Sequence, residues 1–319
     1  MLYSLLKIPA KFALWIYCRA LLVNKKEMLQ SNGPLLIAAN HPNSFLDAVI
    51  LATIFKKPVY SLARGDAFAN NFYSRLLSSM NMLPVYRISE GVENLEHNYK
   101  TFDACKAIFK KNGIVLIFSE GRCINEWHLR SLKKGTARLA ISAWEDGTAL
   151  KVLPCGINYS SFVSFGKNVQ LNFGEMITAK DFGLENSFGN NVNEFNGILQ
   201  KQLQQLVIEI DKKDAAVIEE KFEVQQPRLK RMILFIPAIL GFLFNLPLYY
   251  PINKFTEKRA AYNDHFDSVM VGLLFILYPF YLLLTGLLVY LFIGSWYWLL
   301  VFIVLPFCAW SYVQVKQQF

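Results

Sequence analysis

At 319 residues, with 54% hydrophobic and 15% aromatic residues and a mean hydropathy of +0.27, the chain is too apolar for an ordinary soluble protein, and the excess lies in its C-terminal third. The formal net charge of +9 admits nucleic acid, anionic lipid or a phosphorylated substrate, but no arginine-rich tract or nucleic-acid signature is present. Lipid and phosphate are therefore the expected partners, with no nucleic acid, and five widely spaced cysteines without a C-x-x-C pair point to a reducing compartment and no zinc.

Residues 1–24 are apolar but interrupted by Lys7, Pro9, Lys11 and Arg19, so no uncharged run reaches spanning length, and no small-residue cleavage site follows. An uncleaved helix in the membrane interface is expected, with Leu2, Leu5, Leu6, Phe12, Trp15 and Ile16 against lipid and the cationic side chains reaching out.

In residues 25–227 short apolar runs alternate with helical patterns, the signature of βα units, which predicts an α/β domain built on a mainly parallel sheet flanked by helices. Strands are expected over 34–39, 58–62, 82–86, 114–118, 152–157 and 169–173. Helices are expected over 45–55, 68–79, 93–111 and 135–144, and 194–223 reads as one long amphipathic helix after a Gly- and Asn-rich loop over 181–193.

Residues 228–319 read as a C-terminal α-helical membrane region, with no Asp, Glu, Lys or Arg between Ser268 and Val315. Three apolar stretches, 232–253, 268–293 and 296–315, are each long enough to cross about 30 Å of hydrocarbon. The first carries Pro237, Gly241, Asn245, Pro247 and Pro251, which should break or kink it repeatedly, and a basic connection with Lys254, Lys258 and Arg259 follows. A re-entrant or interfacial first stretch followed by a true two-helix hairpin keeps Arg228, Lys230, Arg231, that connection and Lys316 on the cytosolic face; a full first span is the alternative.

Candidate chemistry gathers at two strand ends. His41 follows the strand at 34–39, and Asp47, on the next helix, can accept one ring N–H and hold the imidazole in the tautomer a general base needs. The plain alternative is that Asn40 and Asp47 cap a turn and a helix. Phe118-Ser119-Glu120-Gly121-Arg122 leaves another strand on what should be the same carboxyl edge; there Glu120 can position polar groups of an acceptor, Gly121 admits close backbone approach and Arg122 can pair with phosphate. Lys133 and Lys134 open a helix whose free N–H groups favour an anion, or they are a solvated helix start. Cys123 lies near this loop without a dedicated base, His97 and His128 lack an orienting motif, and His265 with Asp264 and Asp267 reads as a solvated connection rather than a metal site.

Taken in order, His41-x-x-x-x-x-Asp47, Leu83-Pro84-Val85-Tyr86-Arg87, Phe118-Ser119-Glu120-Gly121, Leu132-Lys133-Lys134-Gly135-Thr136-Ala137-Arg138-Leu139-Ala140 and Val152-Leu153-Pro154-Cys155-Gly156-Ile157-Asn158-Tyr159 resemble the glycerolipid acyltransferase family, which includes 1-acylglycerol-3-phosphate and glycerol-3-phosphate acyltransferases. The resemblance covers roughly residues 34–173 and leaves the membrane region outside it. It implies His41 as general base with Asp47 orienting it, Arg87 on the glycerol phosphate, Glu120 and Gly121 in the acceptor loop, and Pro154 in the block shaping the acyl-donor side. It also implies no cofactor, and an acyl thioester of coenzyme A or acyl carrier protein as donor. Two departures stand out: five residues separate His41 from Asp47 where the family has four, so the loop must bulge, with Pro42 the expected cause, and Ser119 and Arg122 replace the usual Pro and Thr of the acidic block.

The expected protein is thus an integral membrane O-acyltransferase of phospholipid synthesis, its catalytic domain on the cytoplasmic face and its acceptor a lysophosphatidate-type lipid. The same blocks leave open a glycerol 3-phosphate or lyso-aminolipid acceptor, a hydrolase, and a lipid-binding homologue without catalysis.

Overall fold

The computed structural model describes residues 2–86, 97–181, 187–260 and 263–318. Among the described residues seven strands form one sheet: β1 (Cys18–Val23), β2 (Leu35–Ala39), β3 (Val59–Arg64), β4 (Met82–Val85), β5 (Ile114–Phe118), β6 (Lys151–Tyr159) and β7 (Lys167–Phe173). Their spatial order is β1-β7-β6-β2-β5-β3-β4, and only the β6/β7 pair is antiparallel. Leu-Leu-Ile-Ala-Ala in β2 is buried throughout, as a central parallel strand covered on both faces must be.

Helices cover both faces. One face, carrying Leu35, Ile37, Ala39, Leu153 and Cys155, packs under α1 (Leu2–Tyr17) and α2 (Ser44–Ile54). The other, carrying Leu36, Ala38, Val115 and Val152, packs under α4 (His97–Lys110), α5 (Gly135–Glu145) and α6 (Phe188–Leu206); α3 (Asn71–Ser79) connects β3 to β4. The parallel pairs of β2 with β5 and β6 align Ala39 with Phe118 and Cys155, so the loops after β2 and β5 leave the same edge side by side.

Several elements differ from the sequence expectation. Residues 18–23 are not helical: Cys-Arg-Ala-Leu-Leu-Val pairs with β7 and becomes an edge strand, because a parallel partner outweighs the helix preference of Ala and Leu. In α1 Leu5, Phe12 and Trp15 are exposed, but Ile16 is buried and Lys7 turns inward, donating to the Phe55 carbonyl at 2.5 Å. The helix expected over 194–223 begins earlier, at Phe188, and stops at Leu206; α7 (Ala215–Phe222) follows an extended break. That break is anchored from outside, since Ile208 N–H donates to Asn158 Oδ1 and Ile210 N–H to the Trp127 carbonyl.

The C-terminal region consists of α8 (Arg228–Ala260), α9 (Phe266–Ile293) and α10 (Val301–Val315, preceded by a 3-10 turn from Trp296), three helical segments long and apolar enough to cross a membrane. Residues 232–253 are neither broken nor re-entrant: α8 runs unbroken for 33 residues, about 50 Å, through Pro237, Pro247 and Pro251, and takes Lys254, Lys258 and Arg259 into its last turns, a shape that accommodates either the interfacial placement or a full span. Side chains bond carbonyls along this stretch, Asn245 Nδ2 that of Gly241 at 2.9 Å and the Tyr281 hydroxyl that of Phe244. The region is not a detached anchor. Ile252 and Ala260 of α8 and Phe266 and Met270 of α9 join the core under the sheet, and beyond α10 the Lys316 carbonyl accepts from Arg19 of β1 at 2.8 Å.

Gly241 lets α8 approach α10 so closely that a Cβ there would lie 2.0 Å from the Cys308 carbonyl oxygen. Gly241→Val is therefore expected to force the two helices apart and destabilise the fold by about 1–3 kcal/mol, read as a lower unfolding midpoint in detergent.

Candidate active site

The site begins with a side chain that imitates a strand. Asn40, buried just past β2, accepts from Ile157 N–H at 2.7 Å and donates to Ile157 O at 3.0 Å, extending the β2/β6 pairing by one rung. The next residue, His41, is fixed at backbone and ring: its N–H donates to Glu120 Oε2 at 2.8 Å, and the imidazole stacks on Phe118, centroids 3.8 Å apart and planes within 6°.

His41 Nδ1 lies 2.8 Å from Asp47 Oδ2. Because a carboxylate only accepts, Nδ1 carries the proton, which leaves Nε2 of the neutral ring with a free lone pair. The imidazole is 16% exposed, whereas Asp47 is wholly buried. Its remaining capacity is filled from two directions: Asn43 N–H donates to Oδ2 at 2.8 Å, and the Tyr159 hydroxyl, at the end of β6, donates to Oδ1 at 2.7 Å. Burial, reinforced by the adjacent Asp47 charge, pushes the Tyr159 pKa well up and keeps that hydroxyl a donor.

Glu120 does not project toward a ligand. Its carboxylate is buried and engaged inward, Oε2 with His41 N–H and Oε1 with Arg130 N–H at 2.9 Å, while Arg130 Nη2 stands 3.4 Å from Oε2. It ties the loop after β5 to the loop after β2. Ser119 strengthens the tie, its N–H donating to Ala39 O at 2.8 Å and its Oγ accepting from Thr136 at 3.0 Å. Gly121 takes φ +67°, and a Cβ there would meet the Lys133 stem at 3.0 Å, so Lys133 lies over the loop. Lys133, Lys134 and Arg122 are exposed.

The structure thus gathers His41, Asp47, Glu120, Gly121 and Lys133 at one sheet edge. Pro154 is not among them: it is buried within β6 opposite Ala38, under the face that α6 covers, at the point where the β7 ladder gives out and its missing N–H is tolerated. Arg87 lies outside the described residues. Cys123 is a poor nucleophile, since burial pushes its thiol pKa up and its Sγ faces Ser44 N–H at 2.9 Å. His128 is exposed and bonded to Glu209. Among the described residues no group of three His, Cys, Asp or Glu is placed to hold a metal.

Sequence reasoning missed Asn43, Arg130 and the hydroxyl of Tyr159, and it misread Asp267. That residue is no solvated connector: it is wholly buried at the start of α9, where it pairs with Lys167 of β7, accepts from the Tyr17 hydroxyl at 2.5 Å and accepts from Asn43 Nδ2 at 2.6 Å. An acid directly before a long uncharged run was the available signal, but nothing local names partners 100 and 250 residues away.

Residues 20–158 match the Acyltransferase family model. That segment is an acyltransferase domain, running from β1 to the end of β6 and holding His41, Asp47, Glu120 and Lys133. No curated protein sequence matches the chain significantly. Among solved structures, the chain is similar to PlsC, the 1-acyl-sn-glycerophosphate (LPA) acyltransferase of Thermotoga maritima, at 17% identity and a TM-score of 0.42 over 69% of this chain and 81% of that one.

Tyr159→Phe would leave Asp47 Oδ1 buried without its donor. We expect it to cost about 1–3 kcal/mol of unfolding free energy, measurable by denaturant titration.

Proposed function

We propose that this acyltransferase moves a fatty acyl group from a thioester of coenzyme A or acyl carrier protein to the free hydroxyl of 1-acylglycerol 3-phosphate, with His41 as general base and Asp47 as its orienting acid. The observation that supports this most directly is the pairing of His41 Nδ1 with a wholly buried Asp47 at 2.8 Å, which presents Nε2 as the basic atom. In the first step Nε2 removes the hydroxyl proton while the oxygen attacks the thioester carbonyl. Collapse of the tetrahedral adduct breaks the carbon–sulfur bond, and the imidazolium returns its proton to the departing thiolate. The thioester supplies the free energy, so this chemistry calls on no cofactor.

Glu120 acts, on this proposal, by holding the His41 backbone, a role supported by its two inward oxygens and different from direct acceptor binding. The cations left for a phosphate head group are Lys133 over Gly121, the exposed Lys134 and Arg122, and Arg87, which rests on its motif alone. Pro154 is buried within β6, and its place on the donor side rests on its motif alone.

We further propose that α8 to α10 hold the enzyme at a membrane whose cytosolic face carries the catalytic domain. Supporting this with α8 lying along the interface rather than across it, Arg228 and Arg231 at its start, Lys258 and Arg259 at its end and Lys316 after α10 lie at helix ends that adjoin the α/β fold, as the positive-inside tendency favours. An acceptor with one acyl chain then presents its head group without leaving the bilayer.

The decisive experiment follows thiol release by purified full-length protein given an acyl thioester with each acceptor in turn. Lysophosphatidate should be turned over in preference to glycerol 3-phosphate and lyso-aminolipids. His41→Ala should lower kcat by about 10²–10⁴-fold. Thiol release without acceptor would indicate a hydrolase, and full activity in His41→Ala would remove the base from the mechanism.

A further inference from the structure

The loop from His41 to Asp47 carries one residue more than the family spacing, and the adjustment falls not on Pro42 but on Ser44, which adopts φ +50°. A residue with a Cβ disfavours that left-handed conformation, so something outside the loop must hold it. Three of the holding contacts come from the segment that opens α9. Asn43 Nδ2 donates to Asp267 Oδ2 at 2.6 Å, Ser44 Oγ meets His265 Nδ1 at 2.7 Å, and Phe45 N–H donates to Ser268 Oγ at 3.1 Å.

Asn43 is the link between the two buried acids. Its backbone N–H bonds Asp47 and its side-chain amide bonds Asp267, while its own Oδ1 stays buried without a partner among the described residues. The amide nitrogen is therefore turned by the Asp267 carboxylate. Asp267 in turn cannot drift, because Lys167 and the Tyr17 hydroxyl grip it inside the core.

We infer that the C-terminal helical region is a working part of the catalytic centre: Asp267, assisted by His265 and Ser268, is a positioning residue that holds the lengthened loop in the one shape bringing His41 to Asp47. The inference rests on the proposed role of His41. On this view a chain ending at Pro227 fails even with soluble substrates, because it loses the grip and not merely the anchor.

The test uses the full-length chain in detergent with acyl-CoA and lysophosphatidate. Because Asp267→Leu alone strands a buried ammonium, the comparison is between Lys167→Met/Asp267→Leu, which removes the acceptor of the Asn43 amide, and Lys167→Met/Asp267→Asn, which restores a neutral acceptor oxygen. The Leu pair should lose about 10²-fold in kcat, as a misplacement near 1 Å does, with KM for both substrates nearly unchanged, and the Asn pair should recover most of it at an equal unfolding midpoint. Wild-type kcat in the Leu pair, or equal losses in both pairs, overturns the inference. If neither pair folds, His265→Ala/Ser268→Ala decides, since these contacts are at the surface: a several-fold fall in kcat at unchanged midpoint is expected, and an unchanged kcat overturns it. An enzyme indifferent to His41→Ala would instead defeat the proposed function, whereas one that needs His41 but tolerates all three variants defeats only the inference.

Discussion

A carboxylate sealed from solvent survives in ionised form only if its lone pairs are met, and Asp47 imposes that condition on two parts of the fold at once. The loop after β2 must offer His41 Nδ1 and Asn43 N–H, and the end of β6 must bring the Tyr159 hydroxyl. Those donors converge only if β2 and β6 keep their register, which Asn40 fixes by bonding both backbone groups of Ile157. The neighbouring β5 is drawn in by Glu120, whose carboxylate takes His41 N–H. Sheet register, loop shape and the direction of the imidazole are therefore one constraint, and Phe118 beneath the ring completes it by closing one face.

How much of this could be read from the residues follows from the range of each interaction. The apolar runs of β2 and β5 are local signals, and placing His41 and Glu120 on one carboxyl edge needs only the parallel βα pattern. Strand β1 was hidden because its six residues suit a helix as well as an edge strand, and the choice was made by β7, far along the chain. The split between α6 and α7 was likewise made by tertiary donors and acceptors at Asn158 and Trp127. In α8 the prolines argued for a break, yet α10 packed against Gly241 and the side chains of Asn245 and Tyr281 kept the helix whole. Glu120 was found but given an outward task, since its spacing says where it stands and not which way it faces. The same gap concealed Asp267, whose partners Tyr17, Asn43 and Lys167 belong to elements spread over the whole chain.

Counting charge across this buried region joins the two acids to the chemistry. Asp47 and Asp267 flank Asn43, and Lys167 supplies one compensating ammonium, so with His41 neutral the cluster carries one negative charge more than positive. Burial lowers the Lys167 pKa and Asp267 pulls it back up, and the direct contact between the two groups makes them an ion pair. On the proposed mechanism the surplus is cancelled when Nε2 takes the hydroxyl proton, because the imidazolium is then the missing cation, bonded through Nδ1 to Asp47. The carboxylate of Asp47 is already fixed against Nδ1 where positive charge develops during transfer, so it need not reorganise as the proton moves. Asp267 thereby serves two ends through one position: it orients the Asn43 amide, and with Lys167 it adds a dipole beside Asp47 without adding net charge. Lys167→Met/Asp267→Asn would keep an acceptor oxygen for the Asn43 amide and lose that dipole, so geometry and electrostatics are separable in principle even though one buried pair supplies both.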